Sequence, residues 1–185
     1  LVALVAVAIF AARLGHTSTG HENDTGGGGR GLEADKLSAK TARIQFDHWF
    51  GEAVRRIGPD LARRVLEYFY MDSWECGSQN WTDDFPAEFR RRRGYDLGPW
   101  LPALAGIPVG SAARTERFLR DVRATVDDLL QERFLGTLVR LAHEHGCAVR
   151  SECIAPVMES DDLRHDRDVD VPMGEHGVAG YAFDI

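Results

Sequence analysis

The stretch spanning residues 65–82 constrains this chain most. It opens with VLEYFYM, an apolar and aromatic run with the composition of a buried strand. Asp72, Ser73, Trp74 and Glu75 follow at once, and then a polar loop, Gly77-Ser78-Gln79-Asn80-Trp81-Thr82. A strand running into a carboxylate flanked by indoles and amides has the chemistry of a sugar site. Ring faces cover the C–H faces of a pyranose, amides and carboxylates bind its hydroxyls, and a carboxyl group can do acid–base work on a glycosidic bond.

Two later segments repeat the arrangement. Residues 147–153 (CAVRSEC) predict a strand with Glu152 near its end, and residues 169–175 (VDVPMGE) predict a third that ends in Glu175. Helical patterns separate them. Ser38 is placed to cap a helix reaching about Ile57, with Gly58 and Pro59 beyond it. Asp83 or Asp84 caps a short helix closed by Gly94, and the three prolines of residues 95–110 predict an irregular connection. Ser111 or Thr115 starts a long helix ending near Gly146. Its residues Phe118, Leu119, Val122, Val126, Leu129, Leu130, Phe134, Leu138 and Leu141 form one wide apolar face, and Gly136 marks a bend or a break. Residues 158–166 are polar and read as helix or loop.

Strands alternating with helices predict an α/β fold with parallel strands and right-handed crossovers. Parallel strands end at one edge of their sheet. Glu75, Glu152 and Glu175 are therefore expected to converge there, where (β/α)-barrels carry their active sites. The pattern amounts to a partial (β/α)8 TIM barrel, about half of one, truncated at both ends. Ion pairs to arginines such as Arg90 or Arg150 are the structural alternative for the three glutamates. Trp74 alternates with Glu75 and points away from it, so Trp81 is the better ring for a ligand.

Residues 1–30 read as a strand plus a Gly-rich loop from a preceding region, and residues 31–185 as a fragment of the catalytic barrel domain. Residues 1–14 are too short to cross a membrane and lack the basic start of a signal peptide, and their Val-Ala alternation suits a strand. The four glycines 26–29 lack the Lys-Ser/Thr of a phosphate loop. The chain starts at Leu and stops just after a motif-rich segment, which suggests a piece of a longer protein.

The formal net charge of −7 argues against a nucleic-acid partner, and no segment predicts a membrane partner. The run Arg90-Arg91-Arg92-Arg93 is expected to be a solvated helix face. The three cysteines show no CxxC spacing, which argues against zinc; Cys147 and Cys153 read as small core residues. His143-Glu144-His145 lacks the i, i+4 histidine spacing of a helical zinc site and is expected to be exposed at a helix C-terminus.

Several segments together resemble the glycoside hydrolase family 106 α-L-rhamnosidases. They are GLEADKLS at 31–38, DSWE at 72–75 with QNWT at 79–82, RRGYD at 92–96 with Leu101-Pro102, RFLRDVR at 117–123 and DVPMGE at 170–175. DSWE with QNWT, followed by VPMGE, is the specific part. The resemblance implies an inverting glycosidase on a (β/α)8 barrel with calcium at the sugar site, and a carbohydrate substrate. It implies Glu75 as general acid, Glu175 as general base and Glu152 as a third essential carboxylate holding sugar or metal. Asp72, Trp74, Asn80 and Trp81 are expected to line the sugar site, and Glu152, Asn80, Glu33 and Asp35 are the candidate calcium ligands. The full-length protein is expected to be secreted or periplasmic. A sugar-binding barrel remnant without turnover, or a metal-dependent lyase or isomerase with strand-end carboxylates, are the competing readings.

Overall fold

The structure is a computed structural model, and it describes residues 22–23, 31–32, 34–72, 79–152 and 161–174. The expected strand at residues 1–14 lies outside them. Within the expected loop, β1 (Glu22–Asn23) and β2 (Gly31–Leu32) form a short antiparallel ladder.

The sheet that organises the rest holds β3 (Tyr68–Met71), β4 (Ala148–Glu152) and β5 (Val171–Met173) in that order, all parallel. Tyr70 pairs in register with Arg150, Met71 with Ser151, and Glu152 with Met173. Burial alternates along the strands. Phe69, Met71, Val149 and Ser151 are buried, whereas Tyr70 and Glu152 are half-buried and Tyr68 and Arg150 exposed. A period of two thus gives the sheet one apolar face and one polar face.

Helices cover the apolar face. Helix α1 (Ala39–Phe46) continues through a wide turn, Asp47–Gly51, into α2 (Glu52–Ile57), and Gly58 ends it at φ +86°. Phe46 and Phe50 of this rod pack on Phe69, with ring centroids 5.3 Å apart in each case. Pro59 does not end helical structure; it opens α3 (Pro59–Val65), because its fixed φ and missing N–H suit the first turn of a helix. Val65 therefore belongs to a helix, and the strand expected from residue 65 begins at Tyr68.

Helix α4 (Phe85–Arg93) ends at Gly94 in the left-handed conformation, φ +82°, as the sequence predicts. Asp84 precedes it but makes no side-chain cap. Its carboxylate takes two 2.8 Å hydrogen bonds from Arg133, which outcompetes the helix N–H groups by charge. The proline-rich connection contains a short helix, α5 (Leu101–Leu104). Helix α6 (Ala112–Leu129), capped by Ser111, runs through a second wide turn at Leu130–Leu135 into α7 (Gly136–Glu144). Its apolar face meets α4 in one core, through Phe118, Val122 and Leu129 against Phe85 and Phe89. A second core lies between α7 and the sheet, where Leu138 and Leu141 meet Val149 and Cys147. Helix α8 (Asp162–Asp168) precedes β5 and is capped by Asp161.

Two surface expectations change. Arg90 and Arg91 are exposed, but the Arg92 side chain is only 9% exposed, set between Glu88, Asp128 and Glu132. Arg93 reaches Thr125 and Asp128. The arginine run is thus half a solvated face and half the seam between α4 and the following rod. His143 is exposed but pairs with Asp170 at 2.7 Å, and His145 is half-buried against Phe46 and Phe50. Among the described residues no helix is long and apolar enough to cross a membrane.

Candidate active site at the sheet edge

Because β3, β4 and β5 are parallel and in register, their C-terminal ends share one edge. Glu152 is the last residue of β4. Asp72 follows Met71 directly, and since Met71 pairs with Ser151, Asp72 stands beside Glu152 at that edge. Gly174 leads out of β5. Of the three glutamates expected to converge at this edge, the described residues include Glu152. Glu75, Trp74, Glu175 and Glu33 lie outside the described residues; Glu75 is three residues past Asp72, and Glu175 directly follows Gly174.

Glu152 is held from the polar face of the sheet. The Tyr70 hydroxyl donates to its Oε1 at 3.3 Å. Burial, together with the carboxylates of Asp72 and Glu152, pushes the Tyr70 phenol above its ordinary value of 10.0. Its proton therefore stays in place as a donor. The backbone of Glu152 is held from the opposite face. Ser151, fully buried, contacts the Glu152 carbonyl oxygen at 3.0 Å and Nε2 of His165 at 2.8 Å. The hydroxyl has one proton for the two contacts, and the His165 tautomer sets which of them receives it. Burial holds the His165 imidazole below its ordinary 6.5, against the pull of Asp166 and Asp168. Tyr70, Ser151 and His165 were not singled out in the sequence. A period-two reading of YFYM against AVRSE places Tyr70 and Glu152 on one face; only the fold brings His165 to Ser151.

Residues 79–82 and 34–37 are stitched together. The Gln79 amide donates to the Ala34 carbonyl at 2.6 Å and accepts from the Lys36 N–H at 2.8 Å, and Gln79 is 1% exposed. Thr82 donates to Asp35 Oδ2 at 2.7 Å, and the Leu37 N–H donates to Oδ1 at 2.9 Å. Burial nevertheless raises the Asp35 carboxyl above its ordinary value, with these two bonds opposing it. Asn80 is exposed, and Trp81 is half-buried with its ring tilted on Phe85, centroids 5.1 Å apart.

Calcium takes about six to eight oxygens. Among the described residues no three His, Cys, Asp or Glu side chains gather as a metal centre. Asp35 accepts one protein hydrogen bond on each of its oxygens.

The sequence matches the family model for alpha-L-rhamnosidase, glycoside hydrolase family 106, over residues 8–183. It is 37% identical over 172 residues to a protein of Formosa agariphila named "Putative beta-glucuronidase", a match covering 92% of this chain and 14% of that protein. The fold is similar to a solved rhamnosidase from Novosphingobium sp. PP1Y, with a TM-score of 0.71 and 35% identity over 80% of this chain and 14% of the other. The chain thus spans about one seventh of the length of these relatives. A family match over nearly the whole chain, joined to a parallel sheet whose edge carries Asp72 and Glu152, leads to one conclusion: the chain belongs to glycoside hydrolase family 106.

Proposed function

We propose that this chain is part of the catalytic (β/α)8 barrel of an inverting α-L-rhamnosidase, which hydrolyses terminal α-L-rhamnosides. The observation that carries the reading is the shared C-terminal edge of β3 and β4, with Asp72 beside Glu152. In this reading Glu75 protonates the leaving glycosidic oxygen. Glu175 takes a proton from water as the water attacks the anomeric carbon from the opposite face. An inverting pair requires its two carboxyl groups to stand roughly 6.5–9.5 Å apart to admit that water. Glu152 holds the sugar from the sheet edge, with Asp72, Trp74, Asn80 and Trp81 around the ring. Any calcium would draw most of its ligands from outside the described residues, beside Glu152, Asn80 or Glu33, and no step here depends on it. The full-length protein works outside the cytoplasm, secreted or in the periplasm, where glycan substrates are met.

The relative named for β-glucuronides raises a second substrate class. A glucuronide carries a carboxylate, which the two carboxylates at this edge repel. Among the described residues Arg150 is the cation on that face of the strands, and it lies over the Tyr68 ring, 5.0 Å from its centroid. That arrangement favours a neutral sugar.

Assay of the full-length protein on aryl α-L-rhamnoside and aryl β-D-glucuronide tests the reading, with proton NMR following the first-formed anomer. Turnover of the rhamnoside with β-L-rhamnose appearing first supports it. Retained configuration, or preference for the glucuronide, overturns it. E75Q should slow poor leaving groups more than activated ones. E175A should lose both, with azide restoring turnover as the glycosyl azide.

A further inference from the structure

The polar face of the sheet carries a group that the proposed reaction does not yet use. Tyr70 and Arg150 are register partners, and Glu152 lies two residues further along β4, so the phenol reaches diagonally across the strands to the carboxylate. The diagonal neighbour in a sheet is within reach of an aromatic side chain but not of a short one. On the opposite face Phe69 and Met71 are buried in the core between sheet and helices. They fix the direction in which Tyr70 projects, because neighbouring residues of one strand point oppositely. A tyrosine has only two side-chain torsions to order, so it holds a partner at small entropic cost.

We propose that Tyr70 is a positioning residue for Glu152, its hydroxyl fixing the carboxylate's rotamer at the sheet edge. Ser151 and His165 hold the backbone of the same residue, and Tyr70 holds its side chain. The inference rests on the reading that Glu152 acts at the sugar site. At 3.3 Å the tether is a long hydrogen bond, so its effect is moderate.

The test is a double-mutant cycle on the full-length protein with an activated aryl α-L-rhamnoside. Y70F keeps the ring and removes only the hydroxyl. We expect it to lower kcat/KM about five- to tenfold, less than the roughly 10- to 150-fold that a hydrogen bond of normal length to a charged group supplies. E152Q should lower kcat/KM by at least about a hundredfold, as loss of a charged contact at a reacting centre does. In the E152Q background Y70F should then change kcat/KM by less than about twofold, since the carboxylate it places is gone. An equal Y70F factor in both backgrounds overturns the tether and leaves the role of Glu152 standing, because a merely structural effect would not depend on Glu152. An unchanged kcat/KM in Y70F also overturns the tether. An E152Q enzyme with wild-type kcat/KM overturns both the tether and the sugar-site reading beneath it. E152D separates them further. If Tyr70 sets the rotamer, the shortened side chain retracts from the phenol and Y70F adds less than twofold there too; a full Y70F factor in E152D overturns the tether.

Discussion

Gln79 shows how a single side chain can tie two distant segments of the chain together. Its amide satisfies a backbone carbonyl at Ala34 and a backbone N–H at Lys36, both brought to it from 45 and 43 residues away in sequence. Water cannot replace it, because the residue is 1% exposed. Gln79→Ala should therefore leave two buried polar groups without partners and destabilise the fold by about 2–3 kcal/mol. Gln79→Glu should be as harmful, since an oxygen would then face the Ala34 carbonyl. Denaturant unfolding of the variants measures both, and a change below about 0.5 kcal/mol for Gln79→Ala would contradict this account. The same segment was expected to serve the sugar through Asn80 and Trp81. Trp81 is partly spent on packing against Phe85, while Asn80 stays exposed beside it.

The long rod from α6 to α7 is the element on which the sheet rests. Its apolar face was legible from spacing: Phe118, Val122, Val126, Leu129, Leu130, Leu138 and Leu141 are buried, and Leu119 and Phe134 are half-buried. The wide turn at Leu130–Leu135 was not, because a widened turn needs no particular residue type. Gly136 was the one visible signal. A Cβ placed there would come 3.1 Å from the Gln131 carbonyl oxygen, which is closer than a methyl group tolerates without a shift. In an ordinary helix interior Gly→Ala gains roughly 0.5–1 kcal/mol. Here we expect the crowding to cancel that gain, so that Gly136→Ala lowers the melting temperature instead of raising it. Differential scanning calorimetry decides, and a clear rise of several degrees would mean that the turn relaxes freely around the new methyl.

At the scale of the molecule, the described surface is uneven. Ile57, Leu61, Val65 and Tyr68 are exposed at 40%, 47%, 46% and 40%, and all lie on α2, α3 or the start of β3. Among the described residues β3 also has no strand on its outer side. Exposed apolar side chains beside an unpaired strand edge invite association. The 185-residue chain produced alone should therefore self-associate, and Leu61→Lys with Val65→Lys should reduce it. Sedimentation velocity reads this directly, and a monodisperse monomer from the unaltered chain would overturn the expectation.

The sequence by itself determined the alternation of strands and helices, the parallel direction that follows from it, and the helix stops at Gly58 and Gly94. These depend on local periodicity and on backbone freedom that a short window carries. It also determined the family, through motif segments whose order is local information too. Only the tertiary structure decided what those segments do for one another. That Gln79 and Thr82 bind the chain at Ala34 and Asp35, that Arg92 is half-buried in a seam of carboxylates, and that Ser151 meets His165 are contacts between residues far apart in sequence. A hydrogen bond across such a separation follows from packing and burial, which no window of neighbouring residues encodes. Glu152 shows both sources at once: its place at a strand end was legible in CAVRSEC, while the phenol that holds its carboxylate became visible only when the register set Tyr70 beside Arg150.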